Sequence, residues 1–238
     1  MKNGPLFLLG LFVALAISFG AIVLGSHAQL GGLAPYFDDT EGQSFPQRKP
    51  GLTARGQQVY ADLGCATCHT QQVRRPDYGS DQARGWGERQ SVARDYIHQA
   101  RPQLGASRLG PDLTNLASRQ PTAPTEGGLY YLLYFGAGTH PRYRFLFEER
   151  EIVGEPSTDA LQLTRSAAPA PGHEIVPTGR ARALVAYLLS LNNAYDYPES
   201  RPVAPPAEPT EAAPAPQPAT PIPAAAPDEK KKQGEQKK

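Results

Sequence analysis

The chain has two cysteines, and both stand in one five-residue stretch, Cys65-Ala66-Thr67-Cys68-His69. This is C-x-x-C-H, the pattern that attaches a c-type haem. Two thiols three positions apart lie on one helical turn, where each can form a thioether to a haem vinyl group. The next residue then points an imidazole at the iron from the same side. Two other chemistries use cysteines at this spacing. A redox-active C-x-x-C belongs near a βαβ pattern, which the sequence lacks. A zinc site needs further Cys or paired His ligands, and none has suitable spacing. The expectation is one covalently attached haem c, with Cys65 and Cys68 as tethers and His69 as the proximal iron ligand.

Composition narrows the partners. Among 238 residues, 24 basic side chains face 23 acidic ones, for a net charge of +1. A nucleic-acid binder would show a basic excess or stripe, so no nucleic-acid partner is expected. Two cysteines in one motif cannot staple a secreted fold. Met1 is the only methionine.

The elements that must position this site divide the chain into four. Residues 1–26 contain an apolar run, Pro5 to Gly25, without charge. As a helix it is about 31 Å long, matching the hydrocarbon core of a bilayer. Lys2 precedes it, while Asp38, Asp39 and Glu41 follow. The positive-inside rule then leaves the N-terminus in the cytoplasm and the rest outside. Ser26-His27-Ala28 also resembles a cleavage site, but the run exceeds the ~7–15 apolar residues of a signal peptide. An uncleaved single-pass anchor is therefore expected, with small residues at Gly10, Ala14, Ser18, Ala21 and Gly25 along one face.

Residues 27–50 read as an extended linker rich in glycine and proline. Residues 51–197 read as a helical domain. One helix opens at Leu52-Thr53 and carries Val59, Tyr60 and Leu63 towards Cys65. Ser91 can cap a second, VARDYIHQAR, which Pro102 ends. Thr125 can cap a third around LYYLLYF, closed by Gly136 or Gly138. Thr178 can cap a last one, where Leu184, Tyr187, Leu188 and Leu191 share a face. Tyr60 and Tyr187 are placed at the contact between the first and last of these helices. Strand-like alternation is confined to short pieces such as Glu174-Ile175-Val176, so the class is all-α. Residues 198–238, rich in Pro, Ala and Lys, form a tail that cannot bury enough to order itself.

Beyond the haem motif, Gly110-Pro111-Asp112-Leu113 resembles the G-P-x-L loop of class I cytochromes c. The resemblance implies that the Pro111 carbonyl accepts the Nδ1–H of His69, which would fix its tautomer and ring plane. A longer resemblance follows from MKNGPLFLLG, CHTQQVRRPDYGSDQARGWG, SVARDYI, RLGPDLTNLASRQ, YRFLFEER and ALVAYLLSL. Together these resemble the monohaem subunit (subunit II) of cbb3-type cytochrome c oxidases over most of residues 1–197. That implies a class I cytochrome c domain on the periplasmic side of a bacterial inner membrane. It would pass electrons from a c-type donor towards the haem–copper subunit that reduces oxygen, in a complex with other cytochrome c subunits. The isolated chain would not be an enzyme. The alternatives are the cytochrome subunit of a nitric oxide reductase, a cleaved soluble cytochrome starting near Gln29, and a haem-based gas sensor with an open iron position. The tail lies outside the resemblance.

The family's YRFLF segment is normally preceded by the methionine that supplies the second axial ligand. Here the stretch is Gly138-Thr139-His140-Pro141-Arg142-Tyr143, and no methionine is present. His140 stands in its place, before a proline that biases it to extended backbone. It is the expected distal ligand. Five-coordinate iron, or ligation by His98 or His173, is the alternative. Arg74, Arg75 and Arg84 suit haem propionates, since guanidinium forks match carboxylates; a solvated basic surface is the other reading. Trp86, beside Gly85 and Gly87, fits a haem edge or an ordinary core position.

Overall fold

The computed structural model describes residues 3–163 and 168–201. Lys2 and nearly all of the tail expected over 198–238 lie outside them.

Helix α1 runs Gly4–Leu30, 27 residues long, with no part of its apolar window buried by the rest of the chain. It is long and apolar enough to cross a membrane. A π-helical turn at Gly20–Leu24 interrupts its hydrogen-bond pattern without ending it. The helix thus continues past Gly25 into the stretch expected to be extended. The rest of that stretch is not a free linker either. Tyr36–Asp38 (β1) and Gln43–Phe45 (β2) form an antiparallel hairpin. Phe45 stacks on Tyr195 with ring centres 4.0 Å apart, and the Tyr195 hydroxyl donates to Asp38 over 2.6 Å. That hydrogen bond holds the Asp38 carboxyl below its ordinary pKa.

Helix α2, Gly51–Asp62, buries Gly56, Val59 and Tyr60. It packs against α4, Gly179–Leu188, which buries Leu184, Tyr187 and Leu188. The crossing is close. A Cβ on Gly56 would sit 1.9 Å from the Ala183 carbonyl oxygen. Tyr60 and Tyr187 meet edge to face there, 5.6 Å between centres, a contact of about 0.5–1.5 kcal/mol beyond area burial. Their placement between the two helices is as expected. Thr178 caps α4 by accepting from Ala181 N, and Thr125 caps α3, Glu126–Phe135, by accepting from Gly128 N. Gly136 ends α3.

Two expectations are corrected. The helix expected from Ser91 is only a 3-10 turn, Ala93–Tyr96. Asp95 turns its carboxylate back to Val92 N at 2.9 Å, and both Nη atoms of Arg89 grip it at 3.0 and 2.7 Å. Side-chain bonding of this kind competes with helical backbone bonds. The all-α class also gives way to a mostly helical fold with two small sheets. Beside the hairpin, Phe147–Glu151 (β3) pairs antiparallel with His173–Pro177 (β4), Arg150 opposite Glu174. Those two side chains meet at 2.9 Å across the ladder, a cross-strand charge pair.

Candidate functional site

Gly64, φ +70°, closes α2 in the left-handed conformation and swings the chain into the turn Cys65–Thr67. Cys65 and Cys68 are both free thiols, half-buried. Burial pushes the Cys65 thiol up to about 11. His69 follows, and a strap from Gly110 to Leu113 runs alongside it. Gly110 N donates to Cys68 O at 3.0 Å, and Leu113 N to Thr70 O at 2.8 Å. Between these bonds His69 Nδ1 lies 2.8 Å from Pro111 O. A carbonyl can only accept, so Nδ1 carries a proton, and in the neutral ring Nε2 is the nitrogen with the free lone pair. The strap has to begin with glycine. A Cβ on Gly110 would fall 2.2 Å from His69 Cε1.

Asp112 holds the far end of the strap. Fully buried, it accepts from Gln72 N and Thr114 N, each at 2.8 Å. Burial is the dominant influence on it and raises its pKa. Neither this role nor that of Arg108 was visible in the sequence, because both arise from contacts distant along the chain. Arg108 takes a left-handed backbone, φ +49°. It reaches Asp81 at 2.7 Å and lies 5.8 Å from the Trp86 ring centre.

His140 projects from the loop after α3, half-buried, with Nδ1 3.0 Å from Pro141 O. Here too Nδ1 carries a proton, which in the neutral ring leaves the lone pair on Nε2. Burial lowers its pKa and favours the neutral ring. Its ring centre lies 6.3 Å from that of His69, planes inclined at 51°. Tyr143 meets it edge to face, 5.9 Å between centres. Leu146, three residues on, receives both Thr178 N and Thr178 Oγ1 at 2.9 Å, which ties this loop to the start of α4.

The remaining candidates are scattered. His98 lines a separate cavity with Lys49 and Tyr195, and His173 is exposed at the start of β4. Arg74 is committed to Asp81, at 3.0 Å. Arg75 is exposed, pairs with Asp77 at 3.2 Å and lies over Tyr78. Arg84 covers Trp86, 4.9 Å from its ring centre, so the half-buried Trp86 has two guanidinium groups near its ring.

An apolar helix leading into a mostly helical domain, with two cysteines and two neighbouring histidines at one end, is compatible with a haem-carrying subunit of an electron-transport complex. Residues 6–167 match the family described as cytochrome c oxidase, mono-heme subunit/FixO, and the chain belongs to that family. It is thus the one-haem subunit of a cbb3-type oxidase, as the resemblance implied. No curated protein matches the chain.

Proposed function

We propose that this chain is a membrane-anchored c-type cytochrome that relays single electrons to its oxidase. A class I cytochrome domain outside the cytoplasmic membrane would carry one haem, bound through thioethers to Cys65 and Cys68. His69 and His140 are proposed as its two axial ligands. The observation that carries this reading is the 6.3 Å between the two imidazole centres. Two imidazoles bonded to one metal at about 2 Å each place their ring centres roughly 6 Å apart.

The haem supplies the one-electron couple; the residues supply position, ligation and surroundings. The Pro111 carbonyl keeps the His69 proton on Nδ1 and so directs Nε2 inward. The Pro141 carbonyl does the same for His140. Arg75 and Trp86 are proposed to shape the haem environment. The donor is a c-type cytochrome, and the acceptor is the haem–copper subunit, reached beside other cytochrome c subunits at the periplasmic face of the inner membrane. The family match favours this oxidase over a nitric oxide reductase. The placement of His140 supports a relay over a sensor with an open iron position.

Haem staining of the denatured chain tests attachment. Covalent haem stays with the band and resists acid-acetone, and Cys65→Ala or Cys68→Ala weakens its retention. Haem that extracts freely overturns the c-type assignment. Purification from detergent-solubilised membranes should also bring down the haem–copper subunit.

A further inference from the structure

A cavity of about 500 Å³ opens on the side of the domain where the β1–β2 hairpin meets the start of α2 and the segment after α4. Small-molecule sites usually enclose roughly 300–1,000 Å³. Its wall is cationic. Arg48, Lys49 and Arg89 line it, against Asp95 alone among acidic residues. Asp95 is spent on Arg89, whose Nη atoms hold it at 3.0 and 2.7 Å.

Lys49 is the unusual member. Its Nζ donates to Ser190 O at 2.8 Å and to Ser190 Oγ at 3.0 Å, and it lies 5.6 Å from the Tyr187 ring centre. These neutral partners use two of its three N–H bonds. Among the described residues, no carboxylate lies within ion-pair distance of it. Burial without a counter-charge pulls its pKa down to about 8. A cation partly withdrawn from water and left without a counter-charge gains from an anion brought to it, and the cavity gives such an anion access to Lys49.

We propose that this cavity binds a phosphate-bearing anion, with the half-buried Lys49 as its charge partner and Arg48 at the rim. A lysine ammonium is a suitable point charge for phosphate. Asn192, also on the wall, accepts Ala194 N through Oδ1 and so keeps its Nδ2 donors available. Two sources share this chemistry: free phosphate, and the headgroup of an anionic phospholipid. The second is pertinent because the hairpin wall follows directly on an apolar helix long enough to cross a bilayer.

The test uses the full haem-loaded chain. In detergent, inorganic phosphate is titrated calorimetrically against a matched chloride control. In parallel, thermal unfolding is followed in bilayer discs of phosphatidylcholine alone, or of phosphatidylcholine and phosphatidylglycerol in equal parts. Phosphate binding that Lys49→Met weakens by about tenfold or more identifies a soluble anion. Stabilisation seen only with phosphatidylglycerol, and lost in Lys49→Met, identifies a lipid headgroup. Lys49→Arg should retain binding, and Arg48→Gln should weaken it several-fold with the circular dichroism unchanged. If chloride matches phosphate and phosphatidylglycerol matches phosphatidylcholine, or if wild type and Lys49→Met behave alike in both arms, the proposal fails.

Discussion

The imidazoles of His69 and His140 lie with ring centres 6.3 Å apart, and each has its Nδ1 turned to a proline carbonyl. The two rings are 71 positions apart in sequence, yet the fold brings them side by side with planes inclined at 51°. A second imidazole is a better donor to ferric iron than a thioether, which favours ferrous haem. The proposed pair therefore gives a low-spin bis-histidine haem, poised below relatives that use a methionine.

His140→Met should raise the potential, within the ~0.8 V span open to axial ligands, and create a sulfur-to-iron charge-transfer band. His140→Ala should leave high-spin iron that binds carbon monoxide. His98→Ala and His173→Ala should leave the spectrum unchanged, because neither ring lies beside His69. Optical spectra with and without carbon monoxide decide it, and a wild-type spectrum for His140→Ala sinks the assignment.

Gly110→Ala drives a methyl group into the His69 ring. Overpacking of this kind costs about 1–3 kcal/mol, and here the imidazole must rotate or the strap must shift. The expected result is a lower denaturation midpoint together with an altered low-spin spectrum. A stability loss with an unperturbed spectrum would mean that the strap does not orient the ligand.

The α2–α4 crossing gives a paired prediction. Gly56→Ala meets the Ala183 carbonyl and should destabilise by at least about 1–3 kcal/mol. Gly127, in α3, has nothing within 4 Å of its would-be Cβ. Gly127→Ala should instead stabilise by about 0.5–1 kcal/mol through helix propensity. Urea denaturation of both variants checks the opposite signs.

Lys49 sets a pH dependence. Below about 8 it is charged in both the folded and the unfolded chain, and the burial penalty is fully present. Above that pH the folded chain releases a proton that the unfolded chain keeps, so stability contributed by this group rises with pH. In phosphate-free buffer, the stability gap between Lys49→Met and wild type should be widest near pH 7 and narrow from pH 8 towards 10. A gap that widens over that window contradicts the assignment.

What could be read in advance was local. Thr125 and Thr178 cap helices through bonds three residues away, and Cys65 to His69 carry their chemistry within one turn. His140 stood out because a methionine was missing from an otherwise matching segment. What could not be read depends on distant partners. The stretch after Ser91 has helical composition, but Arg89 holds Asp95 and locks a tighter turn. β3, Phe-Glu-Glu-Arg-Glu, has no alternating apolar face; its order comes from backbone pairing with β4 and from Arg150 opposite Glu174. Arg108 and Asp112 looked like ordinary loop residues until the chain brought Asp81 and Gln72 to them.

The hairpin between α1 and α2 bears on reach. A free 24-residue tether over positions 27–50 would let the domain roam with an r.m.s. span of about 27 Å. With α1 continuing to Leu30 and Tyr36 already in a strand, only Gly31 to Pro35 lie between them. Five such residues span only about 12 Å. With α1 in the bilayer as proposed, the haem domain is held on a short leash. On the proposed function it would meet the same neighbour again and again instead of searching the membrane surface, a fixed post to which a mobile donor would have to travel.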